Sequence, residues 1–255
     1  MLSVRFSLFL AAVVCLAAAI LLHVSALGSR LLRADPDAIP GNEALMGFAL
    51  GRGEALFNVR CAACHGISGT GDAARGVPDL SDGDWLYGTG LVSDIEQVIK
   101  YGIRSFDPKA WNLAIMPAYG TAQPSVRDAK ILPLSPANIR DLVEFLMSQQ
   151  GRAADAASTA RGAEIFVGAG GCYDCHAADA KGDSAIGAPN LTDHITLYGD
   201  GSREALWSSI AYGRHGVCPA WVAILSSAEI RETAIFVYSL SHPRSPARAV
   251  PLGVQ

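Results

Sequence analysis

The chain has 255 residues, half of them hydrophobic and 17% charged, with a formal net charge of −4. Such a length accommodates one to two domains. The acidic balance argues against a basic nucleic-acid-binding surface, and no nucleic-acid partner is expected.

In chain order, the first feature is an apolar run from Phe6 to Leu22 interrupted only by Ser7. Counted through Gly28 it gives 23 residues, enough to span a bilayer. Two readings stand for residues 1–28: an uncleaved transmembrane helix, or a signal peptide cleaved near Val24-Ser25-Ala26. The run exceeds the roughly 7–15 apolar residues of a signal peptide, which favours the anchor. Arg5 before it and Arg30 and Arg33 after it leave the charge rule for orientation undecided. Both readings carry the rest of the chain across a membrane. Cys15 reads as a small apolar residue of the run, and residues 29–48 as a tether.

A helix then starts near Gly53 and enters Cys61-Ala62-Ala63-Cys64-His65. A glycine-rich loop ends in Pro78-Asp79-Leu80. A middle helix is expected over Leu91–Tyr101, followed by a loop carrying Met116-Pro117-Ala118-Tyr119. A last helix begins at Ser135, a good N-cap, with Ile139, Leu142, Val143 and Leu146 on one face. Residues 151–161 read as an alanine-rich linker. The whole pattern then recurs: Gly162, Cys172-Tyr173-Asp174-Cys175-His176, Pro189-Asn190-Leu191, a middle helix over Ser202–Tyr212, Cys218-Pro219-Ala220-Trp221, and a last helix from Ser226. Residues 244–255 read as a proline-rich flexible tail.

The recurrence is an internal repeat. An offset of 111 relates His65 to His176, Gly76 to Gly187, Leu86-Tyr87-Gly88 to Leu197-Tyr198-Gly199, and Tyr101-Gly102 to Tyr212-Gly213. The offset falls to 102 at Met116 and Cys218, and to 91 in the last helix. Repeat one therefore carries two extra loops, within 105–115 and 120–133, both expected at the surface. The expected fold is all-α, with one domain at 49–150 and a second at 162–243.

The chemistry lies in the cysteines. Four of the six form C-x-x-C pairs, each followed at once by histidine. A disulfide framework needs no such histidine, and a four-cysteine zinc site would leave both histidines as coincidences. C-x-x-C-H is the attachment pattern for haem c. Cys61, Cys64, Cys172 and Cys175 are thus the expected thioether residues of two covalent haems, with His65 and His176 as proximal iron ligands. The carbonyls of Pro78 and Pro189, each 13 residues after its histidine, are candidates to fix the imidazole tautomers.

A second iron ligand is expected from the loop after each middle helix. In repeat one that is Met116, a soft neutral thioether that raises the potential; Met46 and Met147 are weaker rivals. In repeat two the equivalent residue is Cys218, whose thiolate would lower the potential. His215 is the alternative sixth ligand there, and His194 reads as a loop residue.

These residues resemble the dihaem subunit III of cbb3-type cytochrome oxidases over about residues 45–243. The resemblance rests on the two C-x-x-C-H motifs, two Gly-x-Pro-x-Leu motifs, Trp85-Leu86-Tyr87-Gly88, Met116-Pro117-Ala118, and Tyr212-Gly213-Arg214-His215-Gly216-Val217 before Pro219-Ala220-Trp221. It implies two tandem class I cytochrome c domains on one membrane anchor, passing electrons towards an oxidase, with His65 and Met116 on haem one and His176 on haem two. The family usually has methionine where this chain has Cys218. The expected setting is the periplasmic face of a bacterial inner membrane, or the soluble periplasm after signal cleavage. The expected partners are the membrane and redox proteins: oxidase or dehydrogenase subunits and soluble cytochromes. Two other functions fit the residues: a haem enzyme acting on a sulfur compound, and a redox or gas sensor.

Overall fold

The computed structural model describes residues 2–122, 124–126 and 129–243. It is all-α apart from a two-residue hairpin, Ser125–Val126 with Ala129–Lys130, inside the second extra loop of repeat one. Helix α1 (Leu2–Arg33) carries the apolar run. A 3₁₀ turn (Pro36–Gly41) leads into α2 (Glu43–Arg60) and the one-turn α3 (Ala62–His65). Helix α4 (Val92–Tyr101) is the first middle helix and α5 (Pro136–Gln149) the first last helix. Helices α6 (Ala156–Val167), α7 (Tyr173–His176), α8 (Arg203–Tyr212) and α9 (Ser227–Ser241) repeat the order.

The caps explain the boundaries. Ser135 and Ser226 each close a capping box, with Asn138 and Glu229 as the reciprocal partners. Two expectations from the sequence are corrected by side-chain caps. Residues 29–48 are no loose tether: the Asn42 side chain accepts from the Leu45 amide and starts α2 ten residues before Gly53. Leu31, Ile39, Leu45 and Met46 of this stretch are buried in the core. Likewise Asp155 caps α6 by accepting from the Ser158 amide, so most of the 151–161 linker is helix. The tail at 244–255 lies outside the described residues.

The larger correction concerns the domains. Packing does not follow the repeats. Helix α2 packs on α9, and α5 packs on α6. Each first helix thus pairs with the other repeat's last helix. One core joins α1, α2, α4 and α9; the other joins α5, α6 and α8 with Tyr119 and Leu134. The divisions 49–150 and 162–243 therefore describe the sequence duplication but not the packed units. The physical reason is that the connection from α5 to α6 is only a few residues long, which makes the two helices antiparallel neighbours.

The two helix crossings are equivalent. A Cβ on Gly53 would lie 2.0 Å from the Glu232 carbonyl oxygen, and one on Gly162 would lie 2.1 Å from that of Asp141. Only glycine allows helices that close. Phe57 packs on Phe236 with centroids 5.2 Å apart, and Phe166 on Phe145 at 5.1 Å. Arg52 pairs with Glu232 at 2.6 Å, and Arg161 with Asp141 at 2.8 Å.

Helix α1 is long and apolar enough over Phe9–Arg33 to cross a membrane. Its end is built into the first core. Leu31 is fully buried, and the buried Arg231 of α9 donates to the carbonyls of Leu31 and Ala34. These are orphan carbonyls of the helix terminus, where a cation is favoured. Arg231 also pairs with the buried Glu96 of α4, so one guanidinium joins three helices.

Two measurements check this packing. Gly53→Ala should destabilise by about 1–3 kcal/mol through overpacking. Gly51→Ala, in the same helix with nothing within 4 Å of its added methyl, should stabilise by about 0.5–1 kcal/mol. Urea denaturation of the pair giving the same sign would refute the crossing. Arg231→Ala leaves Glu96 buried without its main partner and should cost about 3–5 kcal/mol; a loss under about 1 kcal/mol would show that the triple junction carries no stability.

Candidate functional site

The first C-x-x-C-H motif continues directly from the end of α2, and the second follows α6 after the short stretch Gly168–Gly171, each forming a one-turn helix that ends on its histidine. His65 Nδ1 lies 3.2 Å from the Pro78 carbonyl oxygen, and His176 Nδ1 lies 3.0 Å from that of Pro189. A carbonyl only accepts, so Nδ1 carries the proton in both rings and Nε2 is left with its lone pair. Burial lowers the pKa of both imidazoles, with the carbonyl bonds opposing in part, which keeps them in the neutral form that binds a metal. Burial also raises Cys61 and Cys172 to about 11.

Around Cys172, Cys175 and His176 lies a cavity of about 370 Å³. Leu142, Leu146, Phe166, Leu206 and Ile210 supply its apolar wall, and Met116 also lines it. The sequence paired Met116 with His65; the structure brings it together with His176 instead. Met116 exchanges backbone hydrogen bonds with Arg214 at 3.1 and 3.3 Å. Tyr119 and Gly120 donate to the carbonyls of Ile210 and Ala211 at the end of α8. The Tyr119 hydroxyl donates to the Gly170 carbonyl at 2.5 Å, two residues before Cys172.

Cys218 is displaced in the mirror sense. It exchanges backbone hydrogen bonds with Ile103 at 2.9 and 3.0 Å, and Trp221 donates to the Ile99 carbonyl at the end of α4. Its thiol is pushed up to about 11, by burial first and then by the nearness of Cys61 and Cys64. Cys218 therefore lies near Cys61 and Cys64 of the first motif, and it is not among the residues lining the cavity around His176. His215 is exposed and does not line the cavity, and His194 is exposed. The cause of both exchanges is the same. Gly102 and Gly213, each at positive φ, let the opposite repeat's ligand loop lie directly on the backbone.

Several residues of the site carried no assigned role in the sequence. Tyr87 lies over Gly187 of the second motif's loop, and Tyr198 lies over Gly76 of the first. Gly88 donates to the Ser184 carbonyl and Gly199 to that of Ala73. Trp111, in the first extra loop of repeat one, donates through Nε1 to the Ala185 carbonyl at 2.8 Å and meets Tyr87 edge-on. The repeated Leu-Tyr-Gly was the available signal; it marked an equivalence without saying that each copy serves the other half. Chemically, the site offers two thiols and an imidazole on one side of a mainly apolar slot, and a thioether or thiol on the other. That donor set fits a covalently attached haem with soft or imidazole axial ligands.

Comparison with known proteins agrees. The cytochrome c family model matches residues 50–150. The chain is 39% identical over 223 residues to the cbb3-type cytochrome c oxidase subunit CcoP of Rhodobacter capsulatus, covering 84% of this chain and 70% of that one. It is 36% identical over 211 residues to the CcoP subunit of Cereibacter sphaeroides, covering 83% and 68%. It is 35% identical over 204 residues to the FixP subunit of Sinorhizobium medicae, covering 80% and 65%. The chain carries covalently bound haem c and is anchored to a membrane through α1. It belongs to the CcoP/FixP family of cbb3-type cytochrome c oxidase subunits.

Proposed function

We propose that this chain holds two haems, one on Cys61 and Cys64 and one on Cys172 and Cys175, and passes electrons along the periplasmic face of the inner membrane towards a cbb3-type oxidase. The observation that carries the reading is the pair of crossed ligand loops. Each motif has an imidazole fixed on one side by a proline carbonyl and a sulfur residue delivered from the opposite repeat on the other. Two fixed axial ligands suit electron transfer, because little rearranges when the iron changes charge. The homologues are themselves oxidase subunits, and the helix built into the first core keeps that core close to a membrane partner.

The ligand sets follow from the crossing: His65 with Cys218, and His176 with Met116. The family usually has methionine where Cys218 stands, so the unusual ligand falls on the first haem. Axial ligands tune haem potentials over about 0.8 V. The metal-free Cys218 is a neutral thiol, and bound to iron it would lose its proton; a thiolate lowers the potential and a thioether raises it, so the first haem is the stronger reductant and electrons run from it to the second.

Two experiments test this. A Cys61→Ala/Cys64→Ala protein, left with the second haem, should keep the near-infrared charge-transfer band of methionine-ligated ferric haem, and Met116→Ala should abolish it. Loss of the band on removing the first attachment site would overturn the crossed assignment. Cys218→Met should raise the midpoint potential of the first haem alone and replace its thiolate-type EPR signal; unchanged titration curves would remove Cys218 from the iron. For the acceptor, tagged protein in native membranes should co-purify with a copper-haem oxidase and be reoxidised by oxygen through it.

A further inference from the structure

The wall between the two C-x-x-C-H motifs contains a buried hydroxyl with no acceptor for its proton, since its polar neighbour, the Arg104 guanidinium, is itself a donor. Among the described residues, the Tyr87 hydroxyl is the one buried side-chain polar atom without a hydrogen-bond partner. Tyr87 is only 9% exposed and lines the cavity with Cys172, Cys175 and His176. Its position is over-determined. The ring sits on Gly187, where any Cβ would clash with it, and Trp111 braces it edge-on at 5.7 Å.

Arg104 stands beside it. Its guanidinium lies 5.9 Å from the centre of the Tyr87 ring and lines the same cavity. It is held there by donation from Nε to the Gly216 carbonyl at 2.5 Å and from Nη1 to the Ala114 carbonyl at 3.1 Å. The Arg104 backbone takes φ +48°, the left-handed region that a non-glycine residue rarely enters. Strain of this kind persists only where the surrounding structure holds it in place. The symmetric Tyr198 also has an arginine, Arg214, over its ring at 4.5 Å, but Tyr198 is half-buried where Tyr87 is buried.

A phenol O–H that lacks an acceptor, next to a guanidinium, in an otherwise apolar cavity, is complementary to a carboxylate. Haem carries two carboxylates, its propionates. We propose that Tyr87 and Arg104, both from the first repeat, bind a propionate of the haem attached at Cys172 and Cys175. The inference rests on haem attachment at that motif. It makes the first repeat supply three groups to the second haem: an axial sulfur, a hydroxyl donor and a cation. A donor and a cation beside the propionate stabilise its negative charge and raise the potential of the iron nearby.

The test uses the intact, haem-loaded protein. In Tyr87→Phe, the resonance Raman band for propionate bending of the second haem should move to lower frequency and its midpoint potential should fall. The first haem's potential should stay in place. Arg104→Gln should move both readouts in the same direction with the tyrosine present, which separates the effect from a packing defect at residue 87. An attached haem whose Raman band and potential are unmoved in both variants would overturn this inference alone. Absence of haem from Cys172 and Cys175 in the unsubstituted protein, read by mass spectrometry of that peptide, would overturn the attachment reading and this inference with it.

Discussion

The architecture depends on one contact made twice: a glycine in a first helix lying against the backbone of a last helix from the other repeat. At Gly53 and Gly162 the approach is closer than any side chain allows. The aromatic pair one turn further and the arginine–carboxylate pair one residue before complete it. This contact aims the turn that carries the two cysteines and the histidine. Because the partner helix comes from the opposite repeat, the exchange is forced on everything downstream. The ligand loop that precedes each last helix must travel with it.

The two halves are therefore organised differently along the chain. The second unit is continuous: ligand loop, last helix, first helix, haem motif and middle helix run from Met116 to Arg214 in an order that is a permutation of the usual one. The first unit is split, with its ligand loop and last helix supplied after the second is complete. Their shared wall holds Tyr87, Tyr198, Trp111, Arg104 and Arg214. Asymmetry enters through residues rather than through the backbone. The duplicated frame presents a thioether to one motif and a thiol to the other, so the two sites differ in chemistry while sharing a geometry.

Much of this was legible in the sequence. The motif C-x-x-C-H needs no tertiary information, since both thiols and the imidazole lie within five residues. The histidine-to-proline spacing gave the two carbonyl bonds, and Ser135 and Ser226 gave two helix starts. The pairing of Met116 with His65 was not recoverable, because a tandem repeat folded in place and one with exchanged halves have the same residues at the same spacing. The information that separates them is the short connection from Gln149 to Ala156, which favours α5 and α6 as antiparallel neighbours. Asn42 and Asp155 are residue types that favour N-caps, and their capping bonds order the segments expected to be a tether and a linker.

The exchange also sets an order of events during synthesis. Arg52 and its partner Glu232 are 180 residues apart in the chain. At the usual speed of a bacterial ribosome that interval lasts roughly 10–40 s, during which the first motif is made but α9 is not. The second unit, with its near-neighbour contacts, is free to close earlier, in keeping with the faster formation of local contacts. For that interval Cys61 stays without α9, the last helix to join the core it packs against.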